Sequence, residues 1–243
     1  MMELTHFDSL LHRFAHRSQA IERDASLIEL MQALQGDRLD VLPLPGQGCT
    51  LERWRVLARV AGYDLSLAKL YEGHTDALAI LAGCGAAQHA FNGIWGVWAA
   101  EPPDARAYIV ERDGERVRLQ GRKAWCSGAL QVDRALLTAW EDDQPQLVAI
   151  ELPHPSQRIL AEHWQAVGMA ATRSVVIEFD DSPGLAIGSP GQYLSPPGFW
   201  EGGGGVPRLR GGCRAAGARR GAGATAPRGG GGAGRARAGR GAG

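Results

Sequence analysis

The stretch Gly121-Arg-Lys-Ala-Trp-Cys-Ser-Gly128 directly follows the clearest local fold signal in the sequence. Two β-prone runs, Ala107 to Arg112 and Glu115 to Gln120, flank the dipeptide Asp113-Gly114, which tolerates the positive φ angles of a type I′ turn. The pattern predicts a β-hairpin whose second strand leads into the stretch. There, a flat indole ring next to a small hydroxyl can offer a wall and a hydrogen bond to a planar ligand.

Before this hairpin, residues 1–92 carry the apolar spacings of three and four that are typical of amphipathic helices. Ser26 and Glu29 form a capping-box pattern ahead of an apolar run, which predicts the start of a helix. Thr50 and Asp64 are placed to cap two further helices. We expect these helices to form an antiparallel bundle.

From residue 93 onward the helical spacing of apolar residues ends. Short β-prone runs alternate with turn signals as far as residue 200. This spacing predicts a small antiparallel β-barrel or sandwich. The predicted fold class is therefore α+β, with an N-terminal all-α helical bundle over residues 1–92, the β-domain over 93–200 and a tail over 201–243.

The tail has a composition unlike the rest of the chain. Residues 202–243 contain 17 glycines and nine arginines but no acidic residue. Such a segment cannot bury enough apolar surface to fold, so we expect residues 201–243 to be disordered. Glycine, alanine and arginine, which dominate the tail, are also the residue types that GC-rich DNA encodes when it is read in the wrong frame. We therefore expect that a frameshift has replaced a native C-terminal domain.

Charge and cysteine usage narrow the class of protein. The formal net charge of zero divides into nine positive charges in the tail and a net −9 in residues 1–201, which disfavours nucleic-acid binding by the body. No uninterrupted apolar run of about 18 residues is present, so we expect no membrane span. The four cysteines are scattered without metal-ligand spacing, which indicates reduced thiols in the cytoplasm and no metal site.

The hairpin and the stretch that follows it resemble the middle domain of the acyl-CoA dehydrogenase family. The resemblance rests on Lys123-Ala-Trp-Cys-Ser127 and on Trp98-Ala-Ala-Glu101-Pro102, and it extends to a Gly168-Met169 step before the run ending Phe179-Asp-Asp181. It implies an FAD cofactor, and it implies cofactor contacts from seven residues: Trp98, Ala99, Ala100, Glu101, Trp125, Cys126 and Ser127. The local sequence alone leaves a second interpretation open, in which Trp125 is a barrel-core aromatic and Ser127 a strand-end hydroxyl.

The sequence also departs from this family. The loop after Glu101-Pro102 is shorter than in the family and lacks its glycines and serine, and the C-terminal bundle that carries the catalytic base and the oligomer interfaces has no counterpart. No catalytic residue is therefore assigned. We expect the chain to be inactive and to bind FAD weakly or not at all.

The resemblance predicts a truncated FAD-dependent acyl-CoA dehydrogenase-like oxidoreductase. In the intact family the substrate is an acyl thioester and the enzyme is a homo-oligomer. A flavin-dependent monooxygenase relative is one alternative. Another is a non-enzymatic protein whose Gly/Arg-rich tail binds anionic partners such as RNA, although the tail after Trp200 has no aromatic residue to stack on bases.

His74 is the one candidate base that the spacing itself suggests. It lies in the run Tyr71-Glu-Gly-His-Thr-Asp76, where a helix would bring it near a carboxylate. The alternative interpretation is a histidine with satisfied hydrogen bonds in the core or on the surface.

Overall fold

The computed structural model describes residues 4–15, 20–161 and 168–194. Four helices come first in this part of the chain. Their bounds are α1 Leu4–Ala15, α2 Ala20–Gly36, α3 Thr50–Tyr63 and α4 Leu65–Gly83.

Only one of the two predicted helix caps is formed by a side-chain hydrogen bond. Asp64 caps α4 as predicted, because its carboxylate accepts a hydrogen bond from the backbone amide of Leu67 at 2.9 Å. At α3, Cys49 occupies the cap position without a side-chain bond, so the predicted Thr50 cap is wrong. Ser26 and Glu29 lie inside α2 rather than at its start, since a Ser-x-x-Glu spacing fits a helix interior equally well.

Seven strands follow, and five of them close into a barrel. The bounds are β1 Trp95–Trp98, β2 Ala107–Asp113, β3 Arg116–Cys126, β4 Arg134–Glu141, β5 Gln144–Glu151, β6 Gln157–Leu160 and β7 Val175–Ile187. The ring runs β2, β3, β7, β5, β4 and back to β2. Outside it, β1 pairs in parallel with β4, and β6 pairs antiparallel with β7.

The predicted β2–β3 hairpin is present, with a different turn. Asp113 pairs with Arg116, so the two loop residues are Gly114 and Glu115. Only Gly114 has a positive φ, of +61°, which fits a type II′ turn rather than the predicted type I′ turn. A two-residue loop with positive φ at both positions occurs instead at Asp142 and Asp143, between β4 and β5.

The predicted fold class is wrong. The N-terminal helices are not an all-α bundle, because α4 packs on β1 as well as on α3. A single core cluster contains helix residues such as Leu67 and Leu70 together with barrel residues such as Leu137 and Ile177. The β-region is a closed barrel and not a sandwich, and it includes the parallel pairing of β2 with β4. Apolar periodicity shows that a helix face is buried, but it does not show what covers that face.

The predicted tail, residues 201–243, lies outside the described residues, and so do the interpretations built on it. Within the described part of the chain, no helix is both long enough and apolar enough to cross a membrane.

Gly121 gives a direct test of this barrel. Its φ is +103°, and a Cβ added there would lie 2.6 Å from the backbone carbonyl oxygen of Arg106. We expect Gly121→Ala to lower the free energy of unfolding by about 2–4 kcal/mol, because the strand must move to relieve the clash. Gly114→Ala is the matched control: its φ is +61°, but an added Cβ meets no described atom within 4 Å, so about 1 kcal/mol is expected. Equal losses in urea denaturation would contradict the close approach.

Candidate functional site

Trp125 projects from a β-bulge at the end of β3. The pairing shifts by one residue here, because Lys123 faces Ile177 while Cys126 faces Val175. Trp125 has a φ of +58°, which is rare for a bulky side chain, and 53% of its surface is exposed although its neighbours Ala124 and Cys126 are buried. The bulge therefore presents a broad aromatic face to solvent, which argues against the barrel-core interpretation of Trp125.

Ser127 begins a short chain of hydroxyl groups. Its Oγ lies 2.8 Å from Ser174 Oγ, which lies 3.3 Å from Thr172 Oγ1, and the Thr172 hydroxyl donates to the carbonyl oxygen of Met169. Taken alone, the first bond allows either serine to be the donor. Because the Thr172 proton is directed to Met169, Ser174 donates to Thr172 and Ser127 donates to Ser174, which leaves the Ser127 oxygen as an acceptor toward a ligand. Ser127 can donate to a ligand only if the whole chain reverses and Thr172 gives up its bond to Met169. Its backbone amide donates to the carbonyl oxygen of Trp125 at 2.9 Å, so this amide is already engaged.

The structure brings together the two segments that the resemblance had paired. The indole nitrogen of Trp98 donates to the backbone carbonyl of Ser127 at 3.1 Å. The Trp98 side chain is buried. Any contact between Trp98 and a ligand would therefore come from its backbone or from the edge of its ring. Ala99 is half-buried and Ala100 is exposed where the chain leaves β1.

Glu101 is held by three side chains. Its Oε1 accepts from Lys123 Nζ at 3.2 Å and from the Thr138 hydroxyl at 2.7 Å, and its Oε2 accepts from the indole nitrogen of Trp140 at 2.8 Å. Lys123 is fully buried and also donates to the carbonyl oxygen of Thr138 at 2.9 Å. We call Glu101, Lys123, Thr138 and Trp140 the Glu101 cluster. It ties the segment after β1 to the barrel interior.

The cluster keeps its two charges. Burial acts to raise the pKa of Glu101, but hydrogen bonds from Thr138 and Trp140 and the charge of Lys123 outweigh it, so the pKa is lowered. Burial lowers the pKa of Lys123, and the neighbouring Glu101 carboxylate offsets part of that effect. With both oxygens engaged by donors, the Glu101 carboxylate is placed to anchor the segment after β1 rather than to accept a proton from a substrate.

Cys126 contributes little chemistry to this surface. Its thiol is buried in the barrel and lies 3.3 Å from the carbonyl oxygen of Lys123. Burial raises the pKa of this thiol. Any ligand contact at this position would therefore come from the backbone.

Sequence reasoning missed three residues that support the site: Thr138, Trp140 and Ser174. Thr138 and Trp140 are two residues apart on β4 and so share one face, which is a signal that the alternation of the strand contains. Ser174 lies two residues after Thr172, and this Thr-x-Ser spacing marks the start of β7.

His74 is a buried structural histidine in this fold. Its Nδ1 accepts a hydrogen bond from the backbone amide of Trp95 at 3.1 Å, so the proton lies on Nε2, which is 2.9 Å from Asp40 Oδ2. With the Nδ1 lone pair already used, the ring has no free acceptor for a substrate proton. This geometry favours the interpretation of His74 as a satisfied core histidine.

The described residues could hold one face of a flat ring such as the flavin that the resemblance implies. Trp125 supplies an exposed aromatic plane and Ser127 supplies a hydroxyl oxygen. The bond from the Trp98 ring to the Ser127 carbonyl holds the two backbone segments together. No group of three or more His, Cys, Asp or Glu side chains in the described ranges is arranged to hold a metal ion.

Comparison with known proteins shows the fold. No family model and no curated protein matches the chain. Among solved structures, methanesulfinate monooxygenase MsuC from Pseudomonas fluorescens is 22% identical, with a TM-score of 0.58 and coverage of 78% of this chain and 52% of that one. Nitrososynthase from Micromonospora carbonacea var. africana is 17% identical, with a TM-score of 0.69 and coverage of 89% and 63%.

A third structure contains a flavin. KijD3 in complex with FMN and dTDP-3-amino-2,3,6-trideoxy-4-keto-3-methyl-D-glucose is 18% identical, with a TM-score of 0.68 and coverage of 90% of this chain and 62% of that one. This chain therefore spans between about half and two thirds of the length of these proteins. None of the three carries the name of an acyl-CoA dehydrogenase, so that finer resemblance stays a prediction.

Proposed function

We propose that this chain forms the flavin-facing part of a flavin-dependent oxidoreductase. The observation that carries the proposal is the exposed ring of Trp125 on a bulge beside Ser127, in a fold shared with a KijD3 structure that contains FMN. A bound flavin would supply the electron transfer, which side chains cannot perform by themselves.

The residues of this chain would bind and orient that ring. Trp125 would cover one face and exclude water from it. Ser127 would meet the flavin N5 edge, where its hydroxyl oxygen can accept from the N–H of the reduced ring. It would donate to the oxidised ring after the hydroxyl chain reverses and Thr172 turns from the Met169 carbonyl to Ser174. The Glu101 cluster would hold the backbone segment that follows β1.

Two reactions fit such a site. The sequence resemblance supports α,β-dehydrogenation of an acyl thioester with FAD. Monooxygenation has more support from the shared fold, because MsuC is a monooxygenase, and from the Glu101-Pro102-Pro103 loop, which lacks the serine of the dehydrogenase pattern. Dehydrogenation also needs a carboxylate base. Glu101 is committed to three donors and does not fill that role.

Flavin binding is the first test. Equilibrium dialysis of the purified chain against FMN and against FAD should give weak, saturable binding, because the described residues offer contacts to one face of the ring. Absence of saturable binding to both flavins at millimolar concentration would contradict the proposal.

The reaction can be tested after the C-terminal domain of a relative has been fused behind residue 200. Bleaching of the bound flavin by an acyl-CoA under anaerobic conditions would support dehydrogenation. Oxygen uptake that needs externally reduced flavin and an organic substrate would support monooxygenation. A fusion that binds flavin and does neither would contradict both assignments.

Ser127→Ala tests the hydroxyl. We expect the affinity for oxidised flavin to fall by about 0.5–1.5 kcal/mol, because one hydrogen bond is lost. Ser174→Ala is the control, since it breaks the same serine pair without removing the group that faces the ligand. Equal losses in both variants, measured by dialysis, would show that Ser127 acts only through its packing.

A further inference from the structure

A cleft opens at the Trp95 end of β1, opposite the end that carries Trp98. It has a volume of about 330 Å³ and lies between the segment before β1, the start of β4, the end of β5 and the middle of β7. This volume is within the range of small-molecule sites. Trp95 lines the cleft and belongs to one core cluster, whereas Trp98 beside Ser127 belongs to the other. The cleft is therefore separate from the proposed flavin surface. We call it the Phe91 cleft.

One wall of the Phe91 cleft is apolar and aromatic. The side chain of Phe91 is 53% exposed there, and Trp95, Pro183 and Leu185 continue the wall. A half-exposed phenyl ring beside a concavity suits a flat apolar ligand, because aromatic rings gain from stacking beyond the area that they bury.

Arg134 places a guanidinium group at the rim of the cleft. One of its partners is a backbone carbonyl, and the other is an exposed carboxylate that a ligand anion can replace. The Arg134 guanidinium donates through Nη1 to the carbonyl oxygen of Asn92 and lies 5.5 Å from the centroid of the Phe91 ring. Its Nη2 pairs with Glu151 Oε1 at 3.0 Å, and the Glu151 side chain is 74% exposed. An exposed pair of this kind contributes little, so a ligand anion can replace Glu151 at small cost.

The rest of the lining does not oppose an anion. Glu151 is the only acidic residue among the described residues that line the cleft, and His89 and His154 are its other titratable members. With Glu151 turned to solvent, the rim presents one guanidinium next to an aromatic wall.

We propose that the Phe91 cleft binds a small aromatic carboxylate. The ring would lie against Phe91 and Leu185, and the carboxylate would take the place of Glu151 on the Arg134 guanidinium in a charge-assisted hydrogen bond. The proposal uses no residue of the flavin surface and does not depend on flavin chemistry.

Titration calorimetry of the full chain with 2-naphthoate and with the uncharged 2-naphthamide tests the proposal. We expect the acid to bind about tenfold more tightly than the amide. Glu151→Gln removes the competing carboxylate from an exposed position, so it should tighten 2-naphthoate about threefold and leave 2-naphthamide unchanged. This gain of binding cannot arise from misfolding. Arg134→Gln should abolish the difference between acid and amide.

Equal affinities for acid and amide in the wild-type chain would overturn the proposal, and so would an unchanged 2-naphthoate affinity in Glu151→Gln. Flavin binding is measured on the same samples. Phe91→Ala should weaken 2-naphthoate and leave flavin unaffected, whereas a chain that binds 2-naphthoate but no flavin would contradict only the proposed function.

Discussion

Glu101→Gln lowers the free energy of unfolding by about 3–5 kcal/mol, because it leaves a buried ammonium without its counter-ion. The side chain of Lys123 is fully buried, and its Nζ lies 3.2 Å from Glu101 Oε1. Glutamine keeps the volume and one acceptor oxygen, but its NH2 group must face one of the donors that hold Glu101, so the loss reports the missing charge together with a lost hydrogen bond. Urea denaturation at pH 7 measures it.

Two further variants show whether burial is the cause. Glu141 pairs with Arg112 at 2.6 Å in a partly exposed position, so Glu141→Gln should cost less than about 1 kcal/mol. Adding Lys123→Met to Glu101→Gln should restore most of the stability, because no unpaired charge remains. Similar losses in Glu101→Gln and Glu141→Gln would contradict the assignment of the Glu101 cluster as a buried anchor.

The same variant has a pH signature with a defined sign. Burial lowers the pKa of Lys123 in the folded protein, so between the folded pKa and the unfolded value of about 10.4 the unfolded chain binds more protons. The stability of Glu101→Gln should therefore rise with pH through this window. In the wild type, the lowered pKa of Glu101 adds stability that is lost as pH falls through that pKa. A profile of Glu101→Gln that stays flat up to pH 10 would contradict the argument.

Trp125→Ala weakens flavin binding by about 1–3 kcal/mol, which is the range of stacking between an aromatic side chain and a planar heterocycle. This expectation depends on the proposed function. Because Trp125 is half-exposed, its removal leaves no core cavity, and the free energy of unfolding should change little. Dialysis with FMN and FAD measures the affinity, and urea denaturation measures the stability.

Phe91→Ala is the matched control for Trp125→Ala. Both rings are 53% exposed, but Phe91 lies at the other end of β1. Flavin affinity should fall only in Trp125→Ala. A similar fall in both variants would mean that flavin binds exposed aromatics without specificity, and no fall in either would remove Trp125 from the site.

Several features could be predicted because a few neighbouring residues determine them. The β2–β3 hairpin depends on a glycine-containing two-residue loop between alternating strands, and the Asp64 cap depends on one carboxylate and an amide three residues later. The pairing of the Trp98 segment with Ser127 came from the family resemblance, and the bond from the Trp98 ring to the Ser127 carbonyl is consistent with it.

The sequence by itself determined that helices precede strands, where the β2–β3 hairpin lies, and that Trp125 and Ser127 follow its second strand. Only the tertiary structure decided that α4 covers β1, that a bulge turns Trp125 outward, and that Glu101 faces Lys123, Thr138 and Trp140. The physical reason is the sequence separation between the interacting residues. Turns and caps are local hydrogen bonds, whereas the partner of a buried face or charge depends on barrel closure, which joins residues about 15 to 40 positions apart.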